Sequence, residues 1–400
     1  MEFPDILDLF EFAFAGLTVA GIAQSVVGWL AVRRFHMPAR PFSDAATRPA
    51  ITILKPLHGD EPMLERALVT VCAQDYARFQ IVFGVQSAED TAIPVVRRLQ
   101  AAFPALDIAL VVDPTMHGRN RKIGNLINMF PKARHDIIVL ADSDVHVAPD
   151  YLDRIMDELE QPGTGLVTAL YTGLPANRGL PATLGATSIT HGFLPGALMA
   201  RGLGRQDCLG GTMALRRSTL ASIGGLASLA HHLADDNVLG RLVRARGLRV
   251  GLARTITATT VPEASLGALF RHELRWSRTI LSLVPREFAL SAIQHTLFWA
   301  LAAIIASGID GWSLALFLFA WIIRAGAARD IDATLARTHA TLASPAPIWL
   351  LPLRDLISMC VLIASYGGDE VEWRGNMMST GRSGTYQQAG TRKLMETELS

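Results

Sequence analysis

Phe12 to Val32 contains no charged residue, and the run ends on Arg33-Arg34 with Arg40 soon after. A helix of about 20 apolar residues crosses the roughly 30 Å hydrocarbon core of a bilayer. The stretch is long enough, and its length argues against a buried core helix. A cleaved signal peptide has its positive charges before the apolar run and a small-residue cleavage site after it. The order here is reversed, which indicates an uncleaved anchor. Basic residues mark the cytoplasmic side, so the domain that follows is expected in the cytoplasm.

A second uncharged stretch runs from Phe288 to Ile309. Asp310-Gly311 makes a turn, and Trp312 to Ile323 returns toward Arg324 and Arg329. This pattern predicts a transmembrane hairpin with its tip on the far side. A third apolar region, Pro345 to Tyr366, is interrupted by Pro347 and Pro352 and carries Arg354 and Asp355 in its middle. Arg337 and Arg374 flank it. Both a re-entrant or interfacial segment and a third crossing fit. These segments explain why charged residues make up only 18% of the chain, against about 25% in a soluble domain. A net charge of +1 gives no electrostatic case for nucleic acid. Cys72, Cys208 and Cys360 lack CxxC spacing, which argues against a disulfide framework or structural zinc and fits a reducing compartment.

Between the apolar segments, Ala50 to Pro285 is large enough for one domain. Ile51 to Leu54, Gln80 to Val85, Asp107 to Val112 and Asp136 to Leu140 read as strands. Met63 to Cys72 and Thr91 to Phe103 read as helices between them. Such alternation predicts an α/β fold with a parallel sheet. Ligands then bind at loops on the carboxyl ends of the strands.

Polar residues gather at those ends. Ile137-Ile138-Val139-Leu140-Ala141 leads directly into Asp142-Ser143-Asp144. Two carboxylates spaced this way suit a hard divalent cation that shares its ligands with substrate phosphates; an ordinary solvated loop is the alternative. Phe83-Gly84-Val85-Gln86 precedes Glu89-Asp90, which suit a base or ribose, or simply a helix N-cap. Gly118 to Asn125 includes Arg119, Arg121 and Lys122, donors suited to phosphate or to plain solvation. Asp235-Asp236 offers a general base, or equally an N-cap pair. Arg275-Trp276, just before the hairpin, can bind a diphosphate and stack on a sugar, or can belong to an interfacial aromatic belt.

Taken in order, Lys55-Pro56-Leu57, Asp90, Asp142-Ser143, Asp235-Asp236 and Arg275-Trp276 resemble the ceramide glucosyltransferase family of GT-A glycosyltransferases. Pro352-Leu353-Arg354-Asp355 and Val371-Glu372-Trp373-Arg374-Gly375 look like its C-terminal elements. Two positions depart from the family pattern. His272 stands where a Gln or Arg is usual, and Asp144 where a Gly is usual. Lys55 to Glu61, Asn120-Arg121-Lys122, Asn125 to Asn128 and His272 to Trp276 look closest to the bacterial hopanoid-biosynthesis-associated branch.

The resemblance implies a Rossmann-like GT-A domain at 50–285. An anchor at 1–35, membrane segments at 286–366 and a polar tail at 367–400 would surround it. It implies inverting transfer of a hexose from a UDP-sugar, UDP-N-acetylglucosamine in that branch, to a lipid hydroxyl at the cytoplasmic face of a bacterial inner membrane. The acceptor would be a hopanoid, bacteriohopanetetrol, or else a ceramide with UDP-glucose as donor. Asp236 would be the catalytic base with Asp235 beside it. Glu89, Asp90, Lys122, Asp142, Arg275 and Trp276 would hold the donor. Asp142 and Asp144 would bind Mg²⁺ or Mn²⁺. A processive polysaccharide synthase would share the acids but bring more membrane helices. A catalytically silent membrane scaffold would have less reason to keep every acid.

Overall fold

The computed structural model describes residues 6–35, 48–339 and 344–368, and three short strands at 370–373, 376–380 and 386–388. Arg40, Arg374-Gly375 and most of the polar tail lie outside the described residues.

One sheet organises the domain. Its strands are β1 (Ile51–Pro56), β2 (Phe79–Val85), β3 (Asp107–Val112), β4 (Ile137–Ala141), β5 (Val145–His146), β6 (Thr164–Pro175), β7 (Thr212–Arg216) and β8 (Arg249–Val261), in the order β3-β2-β1-β4-β7-β6-β8-β5. The first four run parallel. β7 is antiparallel to both β4 and β6, β6 and β8 are parallel, and β5 is antiparallel to β8. The expected parallel sheet is therefore its first half, and the second half is mixed.

β1 and β4 are apolar on both faces because helices cover both. Side chains alternate across a strand. Ile51, Ile53, Ile137 and Val139 enter one core with helices Leu64–Cys72, Ala92–Ala102 and Tyr151–Leu159. Leu54, Ile138 and Leu140 enter the other, with helices Arg121–Met129 and Asp235–Arg244. Gly84 lets the first of these two helices approach the sheet. A Cβ there would stand 2.4 Å from Met129 Cγ, and Asn125 Nδ2 donates to the Gly84 carbonyl at 2.8 Å.

Among the described residues three helices are long and apolar enough to cross a membrane: Leu9–Phe35, Gly311–Arg337 and Ile348–Ser365. The first limb of the expected hairpin is not one straight helix. Pro285–Gln294 and Thr296–Ala306 meet at a bend of 67°. Its return limb is longer than expected, as helix Gly311–His339.

The N-terminal helix Ile6–Phe35 packs on this bend through a small residue, as membrane helices do. A Cβ at Gly21 would lie 2.6 Å from Thr296 Oγ1. Near its other end, Trp29 Nε1 donates to Asp330 at 2.7 Å.

Arg354 and Asp355 are both buried in helix Leu351–Ser365 and both are paired. Arg354 makes two bonds to Glu273, at 2.9 and 2.8 Å. Asp355 accepts from Arg324 at 2.9 Å and from the Leu297 amide at 2.9 Å. Charges that interrupt the apolar pattern thus face inward and bind the apolar helices to one another and to helix Leu266–Leu283 beside the sheet.

Candidate active site

Lys55, near the end of β1, is fully buried and points under the loop after β4. Its ammonium donates to the carbonyls of Asp142 at 2.7 Å and Val145 at 3.3 Å. Burial pulls it down to about 8, against the opposing pull of Asp144 and Asp142. The next loop ties neighbouring strand ends together. The Gly59 amide donates to Asp90 Oδ1 at 2.9 Å, and Glu61 accepts from Ser143 Oγ at 2.6 Å.

Asp90 sits beyond β2 with its side chain buried. Oδ1 also accepts from the Ala92 amide at 2.9 Å, a local capping role for helix Ala92–Ala102. Oδ2 faces His58 Nδ1 at 3.9 Å. Glu89 is exposed.

Asp142 and Asp144 diverge from the end of β4. Asp142 Oδ1 lies 2.6 Å from Lys122 Nζ. Asp144 accepts a hydrogen bond from Thr259 Oγ1 on β8. Burial, then the charge of Asp142, push the Asp144 carboxyl up to about 6, with Thr259 opposing.

Lys122 occupies the first turn of helix Arg121–Met129, whose N-cap is Asn120. The Asn120 side chain accepts from the Ile123 amide at 3.1 Å, and it donates to Asp235 Oδ1 at 3.2 Å and to the His232 carbonyl at 2.9 Å. Lys122 Nζ stands 3.5 Å from Asp235 Oδ2. One ammonium therefore spans two acid motifs far apart in sequence. Burial lowers its proton affinity, but Asp142, Asp235 and Asp236 outweigh burial and hold it above the ordinary lysine range.

Asp235 and Asp236 open helix Asp235–Arg244, where Ala234 is the capping residue without a side-chain cap bond. The acids are thus in the first turn and do not form an N-cap pair. Asp235 is buried among its partners. Asp236 Oδ1 accepts from the Asn237 amide at 2.7 Å, and Oδ2 borders Gly210. A Cβ at Gly210 would be 3.1 Å from Oδ2, so a larger residue would crowd the carboxylate. Burial and the neighbouring Asp235 push Asp236 up to about 6, while Lys122 pulls it down.

Arg275 and Trp276 lie on helix Leu266–Leu283. Trp276 packs with Tyr171 and Phe193 over Ala182, Ala186, Ile189 and Val261. His272, in the position unusual for the family, meets Trp276 edge-on at 4.5 Å between ring centroids and pairs with Glu263. Burial pushes Glu263 up, but His272 and then Arg275 outweigh it and hold this carboxyl below its usual range. Tyr171 links this group to the acids. Burial raises its phenol, and so do the charges of Asp236, Asp142 and Asp144.

Lys55, Glu61, Asn120, Tyr171 and Thr259 are therefore parts of the site with no role assigned by the motifs. Lys55, Glu61 and Asn120 stood inside matching segments. Tyr171 and Thr259 lie on strands too rich in Thr and Gly to read as core.

Among the described residues no three His, Cys, Asp or Glu side chains gather around a common point. Asp142 and Asp144 offer hard oxygen ligands, and the charge of Asp142 helps to raise the Asp144 carboxyl, a repulsion that a bound cation would relieve. The donor set fits a divalent ion that takes one or two carboxylates and completes its shell from substrate phosphates and water.

A family profile described as Glycosyl transferase family 21 matches residues 13–386. Ceramide glucosyltransferase 1 of Caenorhabditis elegans is 22% identical over 315 residues, 77% of this chain and 66% of that protein. The ceramide glucosyltransferase of Komagataella phaffii is 31% identical over 153 residues, 36% of this chain and 30% of that protein. The chain thus spans less than two thirds of the length of either relative. A mannosyltransferase from Pyrobaculum calidifontis, solved with GDP-Man and Mn²⁺, is 20% identical, with a TM-score of 0.49 over 90% of this chain and 99% of that one. The profile match runs from the N-terminal helix into the last described strand and takes in every acid motif, and by that extent the chain belongs to glycosyl transferase family 21.

Proposed function

We propose that the chain transfers a sugar from a UDP-sugar, UDP-N-acetylglucosamine first among them, to a membrane-lipid hydroxyl with inversion at the anomeric carbon. The supporting observation is the Lys122 ammonium, 2.6 Å from Asp142 and 3.5 Å from Asp235. It joins a diphosphate-type site to a carboxylate pair suited to base catalysis.

In this reading Asp236 takes the proton from the attacking alcohol. A carboxyl raised to about 6 is better matched to that task near neutral pH than an ordinary one. Asp235 is committed to Asn120 and Lys122, which makes it a positioning residue. Lys122 and Arg275 face the charge that grows on the departing UDP, and preorganised cations stabilise such charge. Asp90 and Glu89 serve the uridine side, and Trp276 the sugar or acceptor. Asp142 and Asp144 would hold a divalent ion, which supplies Lewis-acid stabilisation of the leaving diphosphate.

Helix Leu266–Leu283 continues into the broken hairpin, so the site is held near headgroup depth. Holding two substrates together lowers the entropic barrier to their reaction. Arg33 and Arg34 close the N-terminal helix on the side of the sheet domain, and basic flanks mark the cytoplasmic side, which supports a cytoplasmic catalytic face. The hopanoid bacteriohopanetetrol is the first acceptor. Ceramide is the second, favoured by the names of the relatives.

The test is transfer by the purified full chain in lipid vesicles, with UDP-N-acetylglucosamine or UDP-glucose against each acceptor. Expected is a glycolipid of inverted configuration, read by mass and by anomeric proton coupling. Retained configuration, or donor turnover indifferent to any lipid, would overturn the reading.

The shared-ligand metal site makes a separate prediction. Mn²⁺ binding measured by calorimetry is expected to tighten by about tenfold or more when UDP is present, because phosphate oxygens complete the shell. Asp142→Asn is expected to remove that gain. Equal affinity with and without UDP would separate the metal from the donor.

A further inference from the structure

We infer that a basic pocket behind helix Asp235–Arg244 binds the phosphate of an anionic phospholipid headgroup drawn from the surrounding bilayer. The pocket is independent of the sugar and acceptor proposed above. Asn237, Arg241 and Arg244 form one stripe of the helix, four and then three residues apart, and line the pocket together. Arg205, Gln206 and Asp207 line it too, with Leu283-Val284 on the side that leads to the hairpin. The pocket is open to one side and has a volume of about 350 Å³, ample for a phosphate and its glycerol.

The charge is unbalanced. Arg205 pairs with Asp207 at 2.7 Å and approaches Glu287 at 3.4 Å. Arg241 and Arg244 have no carboxylate within ion-pair distance among the described residues. Arg244 Nε donates to the Gly240 carbonyl at 3.3 Å, and the rest of its guanidinium remains available. Arginine pairs with phosphate through parallel N–H bonds, so two such groups on one helix face form an oxyanion-binding wall.

The position selects a lipid over a free anion. Val284 leads directly into Pro285, the start of the broken membrane hairpin. Leu203, just before Arg205, is 86% exposed, and Leu290, just after Glu287, is 64% exposed. Apolar side chains left open beside arginines match the boundary between headgroups and acyl chains. Basic pockets at that depth attract anionic lipids. A lipid held here braces the outer face of the helix whose first turn carries Asp235 and Asp236.

The test is native mass spectrometry of the full chain in neutral detergent, titrated with short-chain phosphatidylglycerol. One lipid is expected to be retained, and phosphatidylcholine much less well. Arg241→Gln with Arg244→Gln is expected to weaken retention by about tenfold or more. Arg241→Lys with Arg244→Lys should keep most of it, which separates lost charge from misfolding. Arg97→Gln with Arg134→Gln, exposed arginines elsewhere, should change it by less than about twofold. Unchanged retention in the Gln pair would overturn the site. So would an equal loss in the remote pair, equal retention of phosphatidylcholine, or displacement by millimolar inorganic phosphate.

Discussion

Asp236→Asn is expected to lower turnover by about 10² to 10⁴, the usual worth of a placed general base. The substitution keeps the shape and removes the basicity. Donor affinity should stay near wild type, because Lys122 and Asp142 lie across the site and are untouched. Asp235→Asn makes the informative control. Asp235 meets Asn120 and Lys122, so its loss should disturb donor binding as well as rate. Steady-state kinetics with UDP-sugar and lipid varied in turn will separate the two patterns. Near wild-type turnover in Asp236→Asn with collapse in Asp235→Asn would move the base one residue back. If neither matters, the proposed mechanism is wrong.

The same residue sets a pH dependence. Wild-type turnover should fall as pH drops through about 6, since Asp236 must be ionised to accept a proton. That limb should disappear in Asp236→Asn. Stability moves the other way. The folded-state value lies above the ordinary carboxyl value of about 3.9, so the protonated form favours folding. This contribution is complete below about pH 4 and is lost as pH rises through about 6. A thermal melt without ligands, taken across that window, measures it.

Arg354→Met is expected to destabilise the protein by about 3–5 kcal/mol, because it strands Glu273 without its cation. Arg354 is 3% exposed and makes both of its short bonds to Glu273. Glu273 lies on the same helix as Arg275 and Trp276, so donor KM should rise along with the loss of stability. The double variant Arg354→Met, Glu273→Met should recover much of the stability, since apolar replacement of a buried ion pair is often close to neutral. Thermal unfolding in detergent, followed by tryptophan fluorescence, reads both variants. An unchanged midpoint in Arg354→Met would mean that the pair does not hold this helix to the membrane segments.

Strands buried on both faces were legible as apolar runs, which is why β1 to β4 appear within one or two residues of their expected limits. β6 and β8 were not. TGLVTALYTGLP and RVGLARTITATTV mix Thr and Gly with apolar residues, and the partners that bury them lie elsewhere in the chain. The mixed half of the sheet follows from that long-range pairing, which no local pattern encodes.

Charge placement divides in the same way. Asp142, Asp144, Asp235, Asp236 and Lys122 were recognisable as polar residues at strand ends and helix starts, because a buried parallel sheet leaves ligands only those edges; Arg275 and Trp276, within helix Leu266–Leu283, were recognisable by their place before the apolar hairpin. The sequence also determined that long uncharged segments must be helical if they enter a bilayer, where every backbone group needs an internal partner. Only the tertiary structure decided which charges meet. Lys122 between Asp142 and Asp235, Arg354 on Glu273, and Asp355 on Arg324 each join segments distant along the chain. Coulombic attraction acts through space over a few ångströms, so its partners are set by how the helices pack, and sequence spacing carries no record of them.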